Sequence, residues 1–131
     1  VIGFEIIKKR KSLMSLIIEG IKNKKIIFDQ NFENFKDLIP INFFVKYIYI
    51  IVKKEYKGIL NVGSGVSIKT KEIFNFLKGT ENINTIFMKN KLNRDKSYSY
   101  DIKKLKKITG LKFTKKQLFN ELKLIKKKFK K

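Results

Sequence analysis

An α/β domain is the fold class that this sequence predicts, and three observations carry that prediction. The first is the stretch Gly58-Ile59-Leu60-Asn61-Val62-Gly63-Ser64-Gly65-Val66-Ser67, in which an apolar run of strand length is closed by glycines and followed at once by a helix pattern. The second is that other short apolar runs, Val1 to Phe4, Ile26 to Phe28 and Asn84 to Met88, alternate with segments of helical spacing. The third is size: 131 residues at 43% hydrophobic content can bury one core, and no repeat or Gly/Ser- or Pro-rich linker divides them.

Taken in order, Val1 to Phe4 reads as the end of a strand, and the chain's opening on Val rather than Met suggests further residues upstream. Ser12 is placed to cap a helix carrying Leu13, Leu16, Ile17 and Ile21 on one face, ending between Gly20 and Asn23. Ile26 to Phe28 is a short strand, and Asp29 to Lys36 a polar loop anchored by Phe32 and Phe35. From Pro40, which suits a first helical turn, the run to Lys54 is apolar almost all round, which predicts a centrally packed helix. Ile59 to Val62 follows as a buried strand, with Ser67 capping a helix that bears Ile73, Phe74 and Leu77. After the strand near Asn84 comes a polar, tyrosine-bearing segment, Lys89 to Tyr100. Asp101 then caps a helix to Thr109, which Gly110 stops. Thr114 and Gln117 form a capping box for a lysine-coated amphipathic helix with Leu118, Leu122, Ile125 and Phe129 on one side.

Composition excludes several chemistries. With no Cys there are no disulfides, thiolate metal sites or cysteine nucleophiles, and with no His the commonest metal ligand and general base is missing. The longest apolar run, Phe43 to Val52, is broken by Lys46 and is far shorter than the roughly 18 residues of a membrane span. No secretory signal is legible, so a cytoplasmic location is expected. The net charge of +21 draws attention to polyanions, yet only Arg10 and Arg94 among the 32 basic residues are arginine, the side chain that forks onto phosphates and bases. A solvated lysine face is the default, with weak, non-specific nucleic-acid binding. A strand, glycine turn and capped helix often face a phosphate, but Ile68 stands where a dinucleotide fingerprint needs its third glycine.

The string of motifs resembles the C-terminal, substrate-binding part of extended short-chain dehydrogenase/reductases acting on nucleotide sugars, the NAD-dependent epimerase/dehydratase family. Lys36-Asp37-Leu38-Ile39-Pro40-Ile41-Asn42 is similar to that family's Arg-Asp, apolar residues and Val-x-Asp entering a helix. Gly58 to Gly65 resembles its Gly-x-x-Asn-Val-Gly-Ser-Gly strand and turn. Arg94, Asp101, Lys104 and Leu105 resemble its arginine and Asp-x-x-Lys-Leu helix, and Thr109-Gly110-Leu111 its Thr-Gly-aromatic stop. Val1-Ile2-Gly3-Phe4-Glu5 is similar to the strand end of the dTDP-4-dehydrorhamnose reductase-like branch. The resemblance implies a Rossmann-type fragment with short strands, about five helices and an incomplete sheet, and a nucleotide-sugar substrate in polysaccharide sugar synthesis. It also implies a homodimeric assembly, and NAD or NADP held by a full-length relative and not by this fragment alone.

The family's glycine-rich cofactor loop and catalytic Tyr-x-x-x-Lys lie upstream of the matching segment, so no catalytic residue is assigned here. Tyr49 with Lys53 and Tyr100 with Lys104 have that spacing, which a chain so rich in lysine yields by coincidence. For substrate binding the candidates are Arg94, Lys36, Asn61 and Tyr98. Arg94 suits a diphosphate, against an ion pair with Asp95 or Asp101. Lys36 replaces the family's arginine and offers a point charge to a phosphate. Asn61 reaches a ligand or fixes the turn after it. Tyr98 stacks on a base or packs in the core. The alternatives are an inactive epimerase/dehydratase remnant and a lysine-rich nucleic-acid-binding module, with Lys126, Lys127, Lys128, Lys130 and Lys131 lying along phosphates.

Overall fold

The computed structural model describes residues 12–28, 33–87, 97 and 99–129. The expected strand end at Val1 to Phe4 lies outside them, as does Phe32. Ser12 starts the first helix, α1 (Leu13–Lys22), through a capping box in which Ser15 N donates to Ser12 Oγ at 3.2 Å and Ser12 N to Ser15 Oγ at 2.8 Å. Strand β1 (Lys25–Phe28) follows and pairs in parallel with β4 (Asn84–Phe87), Ile26 opposite Thr85. A second, antiparallel pair joins β2 (Phe35–Asp37) to β3 (Ser67–Lys69), with Lys36 opposite Ile68 and Asp37 opposite Ser67. Between and after the strands lie α2 (Ile41–Lys53), α3 (Thr70–Lys78), α4 (Lys103–Thr109) and α5 (Lys115–Phe129).

The helix ends follow local chemistry. Pro40 is the N-cap of α2, and Gly110 closes α4 in the left-handed region at φ +70°. Thr114 N donates to Gln117 Oε1 at 2.9 Å and Gln117 N to Thr114 Oγ1 at 3.3 Å, the capping box expected ahead of α5.

Two apolar clusters result. The larger unites α1, β1, β3, α3 and α5 through Ile17, Ile18, Ile26, Ile68, Ile73, Leu77, Leu118 and Leu122, each contributing about 1.5–3 kcal/mol by complete burial. The smaller gathers Ile39, Tyr47, Ile102 and Leu105, with Leu60, Val62, Phe44 and Ile51 against them. Phe43 touches both, and its ring meets Phe113 edge-on at 4.6 Å between centroids.

The structure corrects several expectations. Ile59 to Val62 forms no strand: Leu60 and Val62 turn toward the smaller cluster, Ile59 is 90% exposed, and among the described residues no strand pairs with it. Ser67 does not cap α3, because its backbone is in the ladder with Asp37; the helix begins three residues later, from Lys69. Phe35 and Lys36 belong to β2 and not to a loop, and Phe35 is exposed while the neighbouring Asn34 is buried. Finally, α2 is not packed all round: Tyr47 is its one fully buried residue, and Val45, Ile48, Tyr49 and Val52 face outward.

Candidate substrate-side site

The glycine turn is built around an internal carboxylate. Asp37, at the end of β2 and only 8% exposed, accepts from Ser64 N at 2.7 Å and Ser64 Oγ at 2.6 Å through Oδ1, and from Gly65 N at 2.9 Å through Oδ2. Ser64 is wholly buried, and Val66 N donates back to its Oγ at 3.0 Å. Charge-assisted bonds of this kind are the strong ones, and they satisfy a charge that burial alone would penalise. Gly65 holds φ +65°, and a Cβ there would fall 2.5 Å from Ile102 Cδ1, so the side chain of Ile102 fills the space a larger residue would need.

This geometry decides whether the turn suits a dinucleotide. The amides of Ser64 and Gly65 are committed to Asp37, and a phosphate beside them would meet a buried negative charge. The described residues of this turn do not fit the diphosphate of NAD(P).

Tyr47 sits in the same neighbourhood. Its hydroxyl is buried with no hydrogen-bond partner among the described residues, and burial first, with the Asp37 charge second, holds its pKa above the ordinary 10.0.

Beside the turn lies a cleft of about 260 Å³ lined by Ile59, Asn61, Asp101, Lys103, Lys104 and Leu105. Asn61 Nδ2 donates to the Asp101 carbonyl at 3.4 Å, so its amide ties this segment to the entrance of α4. Asp101 Oδ1 accepts from Lys103 N at 2.9 Å, but the N-cap of α4 is Ile102, without a side-chain capping bond, so Asp101 stands one residue ahead of the capping position expected of it. Lys104 Nζ donates to Ile59 O at 3.4 Å and lies 5.5 Å from the Tyr56 ring centroid. A separate cleft of about 320 Å³, between α1, α3 and α5, is floored by Ile18, Ile21 and Leu77.

Of the predicted site residues, Lys36 lies half-buried on β2 next to Asp37, and Asn61 lines the smaller cleft. Arg94 and Tyr98 lie outside the described residues. Ser97 Oγ accepts from Phe35 N of β2 at 3.1 Å. Asp37 itself went unrecognised as the turn's anion, for a partner 27 residues away leaves no local signal. Of the two coincidental pairs, Tyr49 is 64% exposed on α2. Among the described residues no helix is long and apolar enough to cross a membrane, and no acidic cluster suits a metal ion.

No family model matches the chain, and no curated protein sequence does. Solved structures do. A UDP-N-acetylglucosamine 4-epimerase from Methanobrevibacter ruminantium M1, in complex with UDP-N-acetylmuramic acid, superposes over 98% of this chain at TM-score 0.83 and 18% identity. An NAD-dependent NDP-hexosamine 5,6-dehydratase of tunicamycin biosynthesis covers 88% at TM-score 0.73 and 14% identity. A dTDP-glucose 4,6-dehydratase from Bacillus anthracis str. Ames, in complex with NAD, covers 90% at TM-score 0.68 and 18% identity. The chain therefore has the α/β fold of a Rossmann-type portion of such enzymes, and it spans 43%, 38% and 40% of their respective lengths.

Proposed function

We propose that this chain is the substrate-side, C-terminal part of an NAD(P)-dependent enzyme acting on a nucleotide-linked sugar, of the dTDP-4-dehydrorhamnose reductase-like branch, and that alone it transfers no hydride. The observation that carries this reading is the superposition of 98% of the chain on a nucleotide-sugar epimerase at TM-score 0.83, together with the order of motifs from Lys36-Asp37 to Thr109-Gly110. In this reading Arg94 and Lys36 contact the diphosphate, Tyr98 stacks on the base, and Asn61 borders the ligand while holding Asp101. The Asp37 latch supports assigning NAD(P) to residues elsewhere. The enzyme would work in the cytoplasm on sugars for surface polysaccharide.

Turnover tests this reading. The chain alone, mixed with NAD(P)(H) and a nucleotide sugar, is expected to be inert; joined to the polypeptide encoded directly upstream of Val1, it is expected to be active. Enzyme-like rates from the chain alone would overturn the proposal, as would an upstream sequence with no Gly-x-x-Gly-x-x-Gly strand-turn-helix and no Tyr-x-x-x-Lys.

A further inference from the structure

The cleft of about 320 Å³ between α1, α3 and α5 lies at a different place in the fold from the glycine turn. Lys22 and Lys24 on its rim come just before β1, and Glu81 comes just before β4. Because β1 and β4 run parallel, with Lys25 opposite Asn84, the cleft sits at the amino ends of both strands. Ligands of open α/β sheets collect outside the carboxyl ends. This cleft shares no lining residue with the one beside Asn61. Its volume is at the small end of ligand sites, which run from about 300 to about 1,000 Å³.

Two chemistries line it. Ile18 and Leu77 are buried, and with the half-buried Ile21 they make an apolar floor. Around that floor stand Lys22, Lys24 and Lys126 against the carboxylate of Glu81, which leaves the rim net positive. Lys126 is half-buried and held in place: its Nζ donates at 2.8 Å to Phe76 O, in the last turn of α3, and lies 5.7 Å from the Phe76 ring centroid. Gly79 leaves room for it, since a Cβ there would fall 2.7 Å from that Nζ. An ammonium carries three donors, so Lys126 can keep its bond to Phe76 and still donate to an anion at the rim. Lys24 is exposed and follows α1 in the left-handed region at φ +51°, and Asn84 N donates to its carbonyl at 3.0 Å, which joins the entrances of the two strands.

An apolar floor under a positive rim is complementary to an anion that carries an apolar body of its own. Burial of that body contributes about 25 cal/mol per Å², and charge-assisted bonds hold the head. The head carries one charge and not two, because lysines offer point charges without arginine's fork and because Glu81 repels a dianion more strongly than a monoanion. We propose that this cleft binds a small apolar carboxylate of the medium-chain fatty acid class, with Lys126 and Lys24 on the carboxylate and Ile18, Ile21 and Leu77 against the chain. The site goes beyond the function proposed above and requires neither nucleotide sugar nor cofactor.

Calorimetric titration of the full chain with octanoate, at physiological ionic strength, tests this. Saturable binding is expected, with octanol, which lacks the charge, and acetate, which lacks the chain, each at least about tenfold weaker. Lys126→Met keeps an apolar stem and removes the ammonium, and is expected to weaken octanoate about tenfold. Lys24→Gly is expected to weaken it about threefold, as befits a more exposed charge. Glycine adopts the backbone of residue 24 freely, so Lys24→Gly is expected to keep the fold in thermal unfolding and carries the test should Lys126→Met unfold. Lys116→Met, at an exposed position on α5, controls for overall charge and is expected to bind octanoate as wild type does. Absence of saturable octanoate binding would overturn the proposal, as would unchanged affinity in folded Lys24→Gly and Lys126→Met. So would octanol or acetate binding as tightly as octanoate, or an equal loss in Lys24→Gly and Lys116→Met, which would reduce the effect to attraction by the net charge of +21. Octanoate binding of the expected kind in a protein inert toward nucleotide sugars would uphold this site and refute the enzymatic reading, so the two fail separately.

Discussion

Ser64 Oγ lies 2.6 Å from Asp37 Oδ1, and this contact sets the shape of the glycine turn. Two strictly local pieces, the end of β2 and the turn before β3, are thereby welded across 27 residues of sequence, with the backbone amides of Ser64 and Gly65 gathered onto the same carboxylate. The turn is organised by an anion that the protein brings itself.

Removing that anion should be costly. Asp37→Ala leaves the buried amide of Ser64 and the part-buried amide of Gly65 without their acceptor and the Ser64 hydroxyl with only Val66 O at 3.3 Å, which we expect to destabilise the fold by about 1–3 kcal/mol in denaturant unfolding. Asp37→Asn retains an oxygen for some of these donors and is expected to fall between. A loss under about 0.5 kcal/mol for Asp37→Ala, the range of ordinary surface changes, would show that the latch contributes little.

Tyr47 makes the opposite prediction. Its buried hydroxyl lacks a partner among the described residues, so Tyr47→Phe should keep or raise stability, by about 1 kcal/mol at neutral pH. Its pKa is raised from 10.0 by burial and by Asp37, so the folded state favours the neutral phenol. That preference is fully present below pH 10.0 and is lost as pH rises through the raised folded value. Wild type should therefore lose more stability than Tyr47→Phe above pH 10.0, which thermal melts across that range would read.

The surface carboxylates govern the acid side. Glu72 is held below the ordinary 4.5 chiefly by its bond from Lys115 at 2.6 Å, and Glu33 chiefly by its bond from Lys69, with Lys71 beside it. A depressed carboxylate stabilises the fold above its unfolded value, and that contribution disappears as pH falls through the folded one. The stability difference between wild type and a Glu33→Gln, Glu72→Gln variant should accordingly shrink below pH 4.5. All three ion pairs are well exposed, so added salt should shrink it too. A difference that persists at low pH would remove ion pairing as its cause.

Much of this architecture was legible because its signals are local. Ser12, Gly110 and the Thr114–Gln117 box mark helix ends through neighbours in sequence, and the stripe of Ile73, Phe74 and Leu77 is a burial pattern that a helix presents directly. The failures share a different cause. Whether Ile59 to Val62 becomes a strand depends on a partner strand, and whether Val45 and Val52 are buried depends on what covers α2, and neither is a property of the segment itself. The site was legible in the same partial way: Lys36 and Asn61 stand beside Asp37 and along the small cleft, while Asp37's grip on the turn depends on a distant contact.

The charge yields a prediction of its own. At net +21 the protein should bind DNA at low salt, yet with only two arginines it lacks the forked donors of a specific reader. Binding should be indifferent to sequence and should weaken by orders of magnitude from about 50 to 200 mM salt. Leu118, Leu122 and Ile125 of α5 are buried in the core, which leaves that helix no free apolar stripe of the kind a basic arm would use. Sub-micromolar, sequence-selective binding at about 150 mM salt would favour a nucleic-acid module instead.

The central claim is that this chain forms the nucleotide-sugar side of an enzyme, and calorimetric titration tests it most directly. The chain, joined with its upstream polypeptide, is titrated with UDP-N-acetylglucosamine and with dTDP-glucose, as wild type and as Arg94→Ala. Saturable binding of at least one of them is predicted, weakened at least about tenfold in Arg94→Ala, the loss of one charge-assisted diphosphate contact of about 1.4 kcal/mol or more. Failure to bind either nucleotide sugar, or equal affinity with and without Arg94, would contradict the account.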